Sequence, residues 1–239
     1  SLVQAKLKAV NAMCFDVSAA CSGFITALDI AASMLKAGSY KYALVIGSEK
    51  MSEIVNWKDR SVCVLFGDGA GAVVLKAVDN NTEDVTGALV GHERGIIFSN
   101  IYNDGTGASV LTGGRRFSDS CSTDIFIHMD GQEVFKFAVK SVPTAIETLL
   151  HNNNMDINEV DKFILHQANV RIIESVAKRL KADKDKFPVN LNEYGNTSSA
   201  SIPILLDELN RNGSLKQGEK LVLAGFGAGL SWGSILLVW

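Results

Sequence analysis

Twice along its 239 residues the chain runs an apolar strand pattern into a turn and a helical pattern, and later closes with strand patterns separated by glycines. The first block holds "AMCFDV" (12–17), a helical stretch over 21–37 ending at Gly38, and "FGDGAGAVVLKA". The second holds "VDKFILHQAN", the helical "NVRIIESVAKRL" and "SSASIPILLDELNRNG", and then "GFGAGLSWGSILLVW". Strands and helices that alternate in this way bury their apolar faces against one another as an α/β protein, and the repeated order suggests an internal duplication. The continuous apolar centre of "KYALVIGS" (41–48) predicts a strand covered on both faces by helices.

The remaining elements are read from local pattern. A helix is expected over 2–9, with no strand before it, so the chain reads as beginning mid-domain. "SVCVLF" (61–66) and "AVVLKA" (72–77) read as paired strands, and the polar, glycine-rich stretch 79–124 as loops and short strands. Helical periodicity over 131–154 contains Pro143, which predicts a kink or break.

Composition narrows the chemistry. The charge balance is 23 basic against 26 acidic residues, a net −3, and the charges are scattered, which argues against nucleic acid or anionic membrane as a partner. No apolar run approaches the ~20 residues of a membrane span. The four cysteines show neither C-x-x-C spacing nor the density of a disulfide scaffold, so a reducing, cytoplasmic setting without zinc is expected.

Gly67-Asp68-Gly69-Ala70-Gly71-Ala72 fits the loose G-x-G-x-x-A form of a dinucleotide fingerprint. It runs into Val73-Val74-Leu75, a strand pattern where the fingerprint needs a helix N-terminus, so the glycines read as tight turns and close backbone approach.

Ligands of open α/β sheets sit beyond the carboxyl ends of strands. Cys21 in "AACSGF" and His166 in "HQAN" fall at such ends, and Asn196 lies in the "EYGNTSSAS" turn before a helix. A cysteine at a helix N-terminus meets unpaired N–H groups and a macrodipole that favour the thiolate, and a histidine with an asparagine can donate to a developing oxyanion. Singly each has a plain structural explanation as packing, a satisfied polar group or a helix cap.

Together with their flanks they carry more. "DVSAACSGF", "FGDGAGAVVL", "HQAN", "YGNTSSAS" and "GFGAGLSWGS" occur in this order, and the set resembles the β-ketoacyl-acyl-carrier-protein synthase III family of thiolase-like condensing enzymes over essentially the whole chain. The resemblance implies an α/β, thiolase-like fold with two similar halves in a five-layer αβαβα arrangement. Residues 1–124 would be the remainder of an N-terminal half, incomplete at its start, and 125–239 the C-terminal half. A chain lacking that N-terminal portion would expose apolar sheet surface and need a partner or aggregate.

The resemblance also implies roles. Cys21 would carry the acyl group from acyl-CoA, and His166 with Asn196 would assist decarboxylation of malonyl-acyl-carrier protein. The backbone N–H groups of Cys21 and of Ala228, where the family often has glycine, would form an oxyanion hole. Arg60 and Asn169 would contact CoA, and Met51, Phe66, Met129 and Phe135 would line the acyl pocket. Lys136, Arg171, Lys178 and Arg179 would offer a basic face to the acidic carrier protein, against the plain reading of solvated helix charges. A homodimer is implied, and neither metal nor redox cofactor. Alternatives are an acyltransferase of the same fold with a non-carbon nucleophile, and a non-catalytic module binding acyl-CoA or carrier protein.

Overall fold

The structure, a computed structural model, describes residues 1–78, 94–113 and 125–239. Its centre is a four-stranded sheet in the order β3 (Gly95–Asn103), β8 (Ser231–Val238), β7 (Lys220–Gly227), β6 (Lys162–Leu165), parallel between β6 and β7 and antiparallel elsewhere. β7 and β8 are buried almost throughout, as the unbroken apolar runs "LVLAGFG" and "ILLV" require of strands covered on both faces.

One face of the sheet carries α3 (Gly131–Asn152) and α4 (Val170–Leu180), whose Ile146, Leu149, Ile173 and Val176 meet Phe163, Val222 and Leu236. The other face carries α2 (Gly23–Lys36) and α6 (Ser201–Arg211, preceded by the short α5, Leu191–Tyr194); α2 and α6 place Phe24, Ile25, Leu205 and Leu209 against Ile164, Leu223 and Ile235. Each such fully buried side chain contributes about 1.5–3 kcal/mol. Beyond α2 and α6 lies an antiparallel ribbon of β1 (Tyr42–Glu49) and β2 (Gly69–Lys76), with Val45 and Val73 packed inward. The described residues therefore stack as α, β, α, β. Close packing of the last two layers depends on glycine: a Cβ at Gly71 would lie 2.9 Å from the Ile204 nitrogen and from Pro203 Cβ, so only hydrogen there lets α6 lie on the ribbon.

Capping sets the helix starts. Asp130 accepts from the backbone nitrogens of Gln132 and Glu133 at 3.0 and 3.1 Å to open α3, and Asn169 accepts from that of Arg171 at 2.9 Å to open α4. The Gly38 and Gly213 stops both adopt positive φ.

Several expectations are corrected. Residues 12–17 form no strand: they are largely exposed, and no described segment offers them a ladder partner. Residues 61–66 are not a strand paired with 72–77. Asp59 accepts from Ser61 through its side chain (2.9 Å) and from Val62 and Cys63 through its carbonyl (3.2 and 2.9 Å), which winds the segment into turns, and β2 pairs with β1 instead. β1 is covered on one face only, with Tyr42, Leu44 and Ile46 exposed on the other. The first helix, α1 (Leu2–Lys6), is shorter than 2–9, ending before Lys8, which has a φ of 55°.

Of the stretch read as loops and short strands, residues 94–113 contain the nine-residue β3 and the two-residue strand β4 (Leu111–Thr112), which pairs with β5 (His128–Met129). The rest of it, 79–93 and 114–124, lies outside the described residues. Pro143 does not break α3. The Val139 carbonyl that Pro143 leaves without its helical donor accepts a hydrogen bond from Arg179 Nη1 of α4 at 3.3 Å.

Candidate active site

Cys21 sits in the middle of a tight turn, Ala20–Ser22, that leads directly into α2. Ala20 adopts φ 45°, a left-handed conformation unusual for a residue with a side chain. The turn is pressed against the end of β7, where a Cβ at Gly227 would lie 2.8 Å from the Cys21 nitrogen and 3.1 Å from its Cβ. Glycine there is a steric requirement of the Cys21 turn.

His166 comes directly after β6 and is fully enclosed. Its backbone nitrogen donates to the Ala224 carbonyl at 2.8 Å, which prolongs the β6–β7 pairing to the residue itself. The ring packs edge-on to Phe226 with centroids 5.3 Å apart. Burial pushes the imidazole pKa down to about 3, so the ring is neutral at physiological pH.

Asn196 is held by the segment whose strand pattern failed. It pairs with Phe66 in an isolated parallel bridge, its nitrogen donating to the Leu65 carbonyl at 2.8 Å and its carbonyl accepting from the Gly67 nitrogen at 3.0 Å. The side-chain Oδ1 accepts from the Ser198 nitrogen at 2.8 Å. That bond fixes the amide orientation and leaves Nδ2, a donor, for the cavity.

Cys21, His166, Asn196 and Ala228 line one cavity of about 330 Å³. Met51, Phe66, Met129, Phe135 and Asn169, singled out in the sequence, are on its wall as well. Arg60 is exposed and not part of the wall, although the adjacent Ser61 is. On the basic face, Lys136 is paired with Glu133 at 2.7 Å and Arg179 reaches Val139, while Arg171 and Lys178 are exposed on α4.

Two features of the site escaped sequence reading. Glu49, at the carboxyl end of β1, lines the cavity and accepts hydrogen bonds from the nitrogen (3.3 Å) and hydroxyl of Ser199. Its position after a strand was the available signal. The second is the state of Cys21. The helix N-terminus was expected to favour the thiolate, but desolvation by burial dominates, the Ser198 side chain offsets it in part, and the Glu49 charge adds to it, which together push the thiol up to about 11. The resting group is a thiol.

Among the described residues no group of three or more His, Cys, Asp or Glu is placed to hold a metal ion, and no helix is long and apolar enough to cross a membrane.

The stacked sheets and helices that carry this cavity are the fold of thiolase-like condensing enzymes. Models of the 3-oxoacyl-[acyl-carrier-protein] synthase III family match residues 15–93, and models of its C-terminal region match 150–239. A β-ketoacyl-[acyl-carrier-protein] synthase III of Clostridium acetobutylicum is 46% identical over 244 residues, covering 100% of this chain and 71% of the relative. The crystal structure of the 3-oxoacyl-[acyl-carrier-protein] synthase III from Aquifex aeolicus superposes with a TM-score of 0.88 at 45% identity, covering 100% of this chain and 71% of that one. The corresponding enzyme from Pseudomonas aeruginosa gives 0.89 at 36% identity with the same coverage. The chain belongs to the β-ketoacyl-acyl-carrier-protein synthase III family, acyltransferase-type condensing enzymes of fatty-acid synthesis.

Proposed function

We propose that Cys21 takes an acyl group from acyl-CoA and that the acyl-enzyme then condenses with malonyl-acyl-carrier protein. In the first step the Cys21 sulfur attacks the thioester carbonyl and the CoA sulfur leaves, the thiol proton passing to the departing CoA thiolate. In this reading the tetrahedral oxyanion is held by the backbone N–H groups of Cys21 and Ala228, two residues that line the cavity. In the second step the malonyl carboxylate leaves as carbon dioxide. His166 and Asn196 Nδ2 donate to the enolate oxygen, and the carbanion carbon attacks the acyl-Cys21 carbonyl. The acyl carbon–sulfur bond breaks, releasing a β-ketoacyl-acyl-carrier protein and leaving Cys21 as a thiolate, which takes one proton from solvent to return to the resting thiol. Acyl transfer, decarboxylation and carbon–carbon bond formation exchange no electrons with an outside donor or acceptor, so this reading calls for neither metal nor redox cofactor.

The observation that carries this reading is the convergence of one thiol, one neutral imidazole and one oriented carboxamide on a single cavity walled by Met51, Phe66, Met129 and Phe135, which would receive the acyl chain. Asn169 on the wall and the exposed Arg60, next in sequence to the wall residue Ser61, suit the pantetheine arm and adenine end of CoA. The exposed Arg171 and Lys178, with Lys136 and Arg179, suit an acidic carrier protein. A cytoplasmic homodimer completes the reading.

Intact-mass measurement after incubation with acetyl-CoA tests the first step. One acetyl adduct is expected on the wild type and none on Cys21→Ser. Adding malonyl-acyl-carrier protein is then expected to discharge the adduct with release of carbon dioxide. Discharge without carbon dioxide would point to a non-carbon nucleophile, and absence of any adduct with several acyl-CoAs would sink the reading.

A further inference from the structure

Ser201, the first residue of α6, is 2% exposed and stands behind the cavity rather than on its wall. Its Oγ lies 2.7 Å from His166 Nδ1 and 3.2 Å from the backbone nitrogen of Gln167. A backbone N–H can only donate, so it occupies one lone pair of the hydroxyl. Gln167 is itself fixed: its Nε2 donates to the Leu165 carbonyl at 2.8 Å, and its Oε1 accepts from the Asn190 nitrogen at 3.2 Å. The N–H aimed at Ser201 is therefore part of a rigid, buried frame.

The hydroxyl proton then needs an acceptor, and His166 Nδ1 is the one at hydrogen-bond distance among the described residues. If Nδ1 carried a proton instead, Ser201 Oγ would accept two N–H bonds and leave its own buried proton unpaired. That penalty amounts to roughly ten-fold or more in the tautomer ratio. We propose that Ser201 is a positioning residue that holds His166 as the Nε2–H tautomer, so that the ring presents a donor to the cavity. The inference rests on the reading of His166 as an enolate donor. A neutral ring has one donor nitrogen and one acceptor nitrogen, and only the donor can stabilise a developing oxyanion. Since burial keeps the ring neutral, the choice of tautomer decides which one the substrate meets.

Long-range proton–nitrogen NMR of the nitrogen-15-labelled chain reads the tautomer directly, with His166→Asn assigning the signal. The wild type is expected to show a protonated Nε2 and an unprotonated Nδ1. Ser201→Ala is expected to mix or invert the two, and Ser201→Thr, which keeps the hydroxyl, to restore them. With the mixed tautomer, kcat for malonyl decarboxylation is expected to fall about ten-fold while KM and acetylation of Cys21 stay unchanged. An Nδ1-protonated ring in the wild type, which needs no variant to fold, overturns the proposal, as does an unaltered tautomer in folded Ser201→Ala. A wild type that accepts no acyl group defeats the condensation reading instead, and leaves the ring spectrum to judge Ser201 on its own.

Discussion

A thiol held at about 11 is almost wholly protonated at neutral pH, with about one part in ten thousand ionised. Cys21 therefore differs from a pre-formed thiolate, and its proton must move as the sulfur attacks. The sequence identified the residue from its place before a helix, and the helix end was expected to set its charge state. Burial, which the local sequence does not display, is the largest cause of the upward shift, and Glu49, distant in sequence, works in the same direction. The rate of iodoacetamide alkylation at Cys21 is accordingly expected to rise about ten-fold per pH unit through the neutral and alkaline range, levelling only near pH 11. Mass spectrometry with Cys21→Ser as the blank measures it, and a plateau near neutrality would show that the helix end wins. Asn196 illustrates the opposite limit of legibility. The residue was visible in "YGNTSSAS", but its amide orientation is set by a backbone bond from Ser198 and a bridge to Phe66, neither of which has a pattern in the sequence.

Elements whose evidence lies within one segment were legible: α2, α3, α4 and α6 are set by periodicity, caps and glycine stops, and β6, β7 and β8 by short apolar runs. β1 and β2 were also read as strands, but which apolar runs find a ladder partner was not legible. Residues 12–17 and 61–66 have strand composition without a ladder, whereas β3, "GIIFSNIYN", gains one from β8 despite its polar surroundings. The glycine clusters are likewise explained only by the groups that face them. Gly227 ends β7 against the Cys21 turn, and the contact is backbone to backbone, so no flexible side chain can yield to an added methyl group. Gly227→Ala should lose about 1–3 kcal/mol of stability in denaturant unfolding. It should also slow acetylation of Cys21 at least about ten-fold, since a small displacement of a nucleophile costs that much or more. A variant with wild-type stability and acetylation rate would mean that the turn does not depend on this contact.

At the scale of the molecule, the stacked layers that bury the site also hold the Cys21 thiol and the His166 imidazole in their neutral forms over a wider pH range than water would. An α/β class was readable from the alternation of patterns, whereas the joint enclosure of Cys21 and His166 arises only when β6, β7 and the α2 turn are brought together. That enclosure links folding to pH in opposite senses at the two ends of the scale. His166 has a folded value near 3 against 6.5 in the open chain, so as pH falls below 6.5 the unfolded state binds a proton that the folded state refuses. Its contribution is complete above 6.5 and is lost progressively on the way down to 3. Cys21 runs the other way: with a folded value near 11 against 9.0, the unfolded chain ionises first, and stability present below 9.0 drains away as pH rises towards 11. Between these windows neither group opposes folding. Denaturant unfolding at a series of pH values is thus expected to show the wild type taking up about one more proton than His166→Asn on unfolding at acid pH, and releasing about one more than Cys21→Ser at alkaline pH. The carboxylates and lysines elsewhere are common to each pair and cancel in the difference. Equal acid slopes for wild type and His166→Asn would mean that the imidazole titrates in the folded site as it does in water, and the neutral ring that the proposed enolate hole requires would be lost with it.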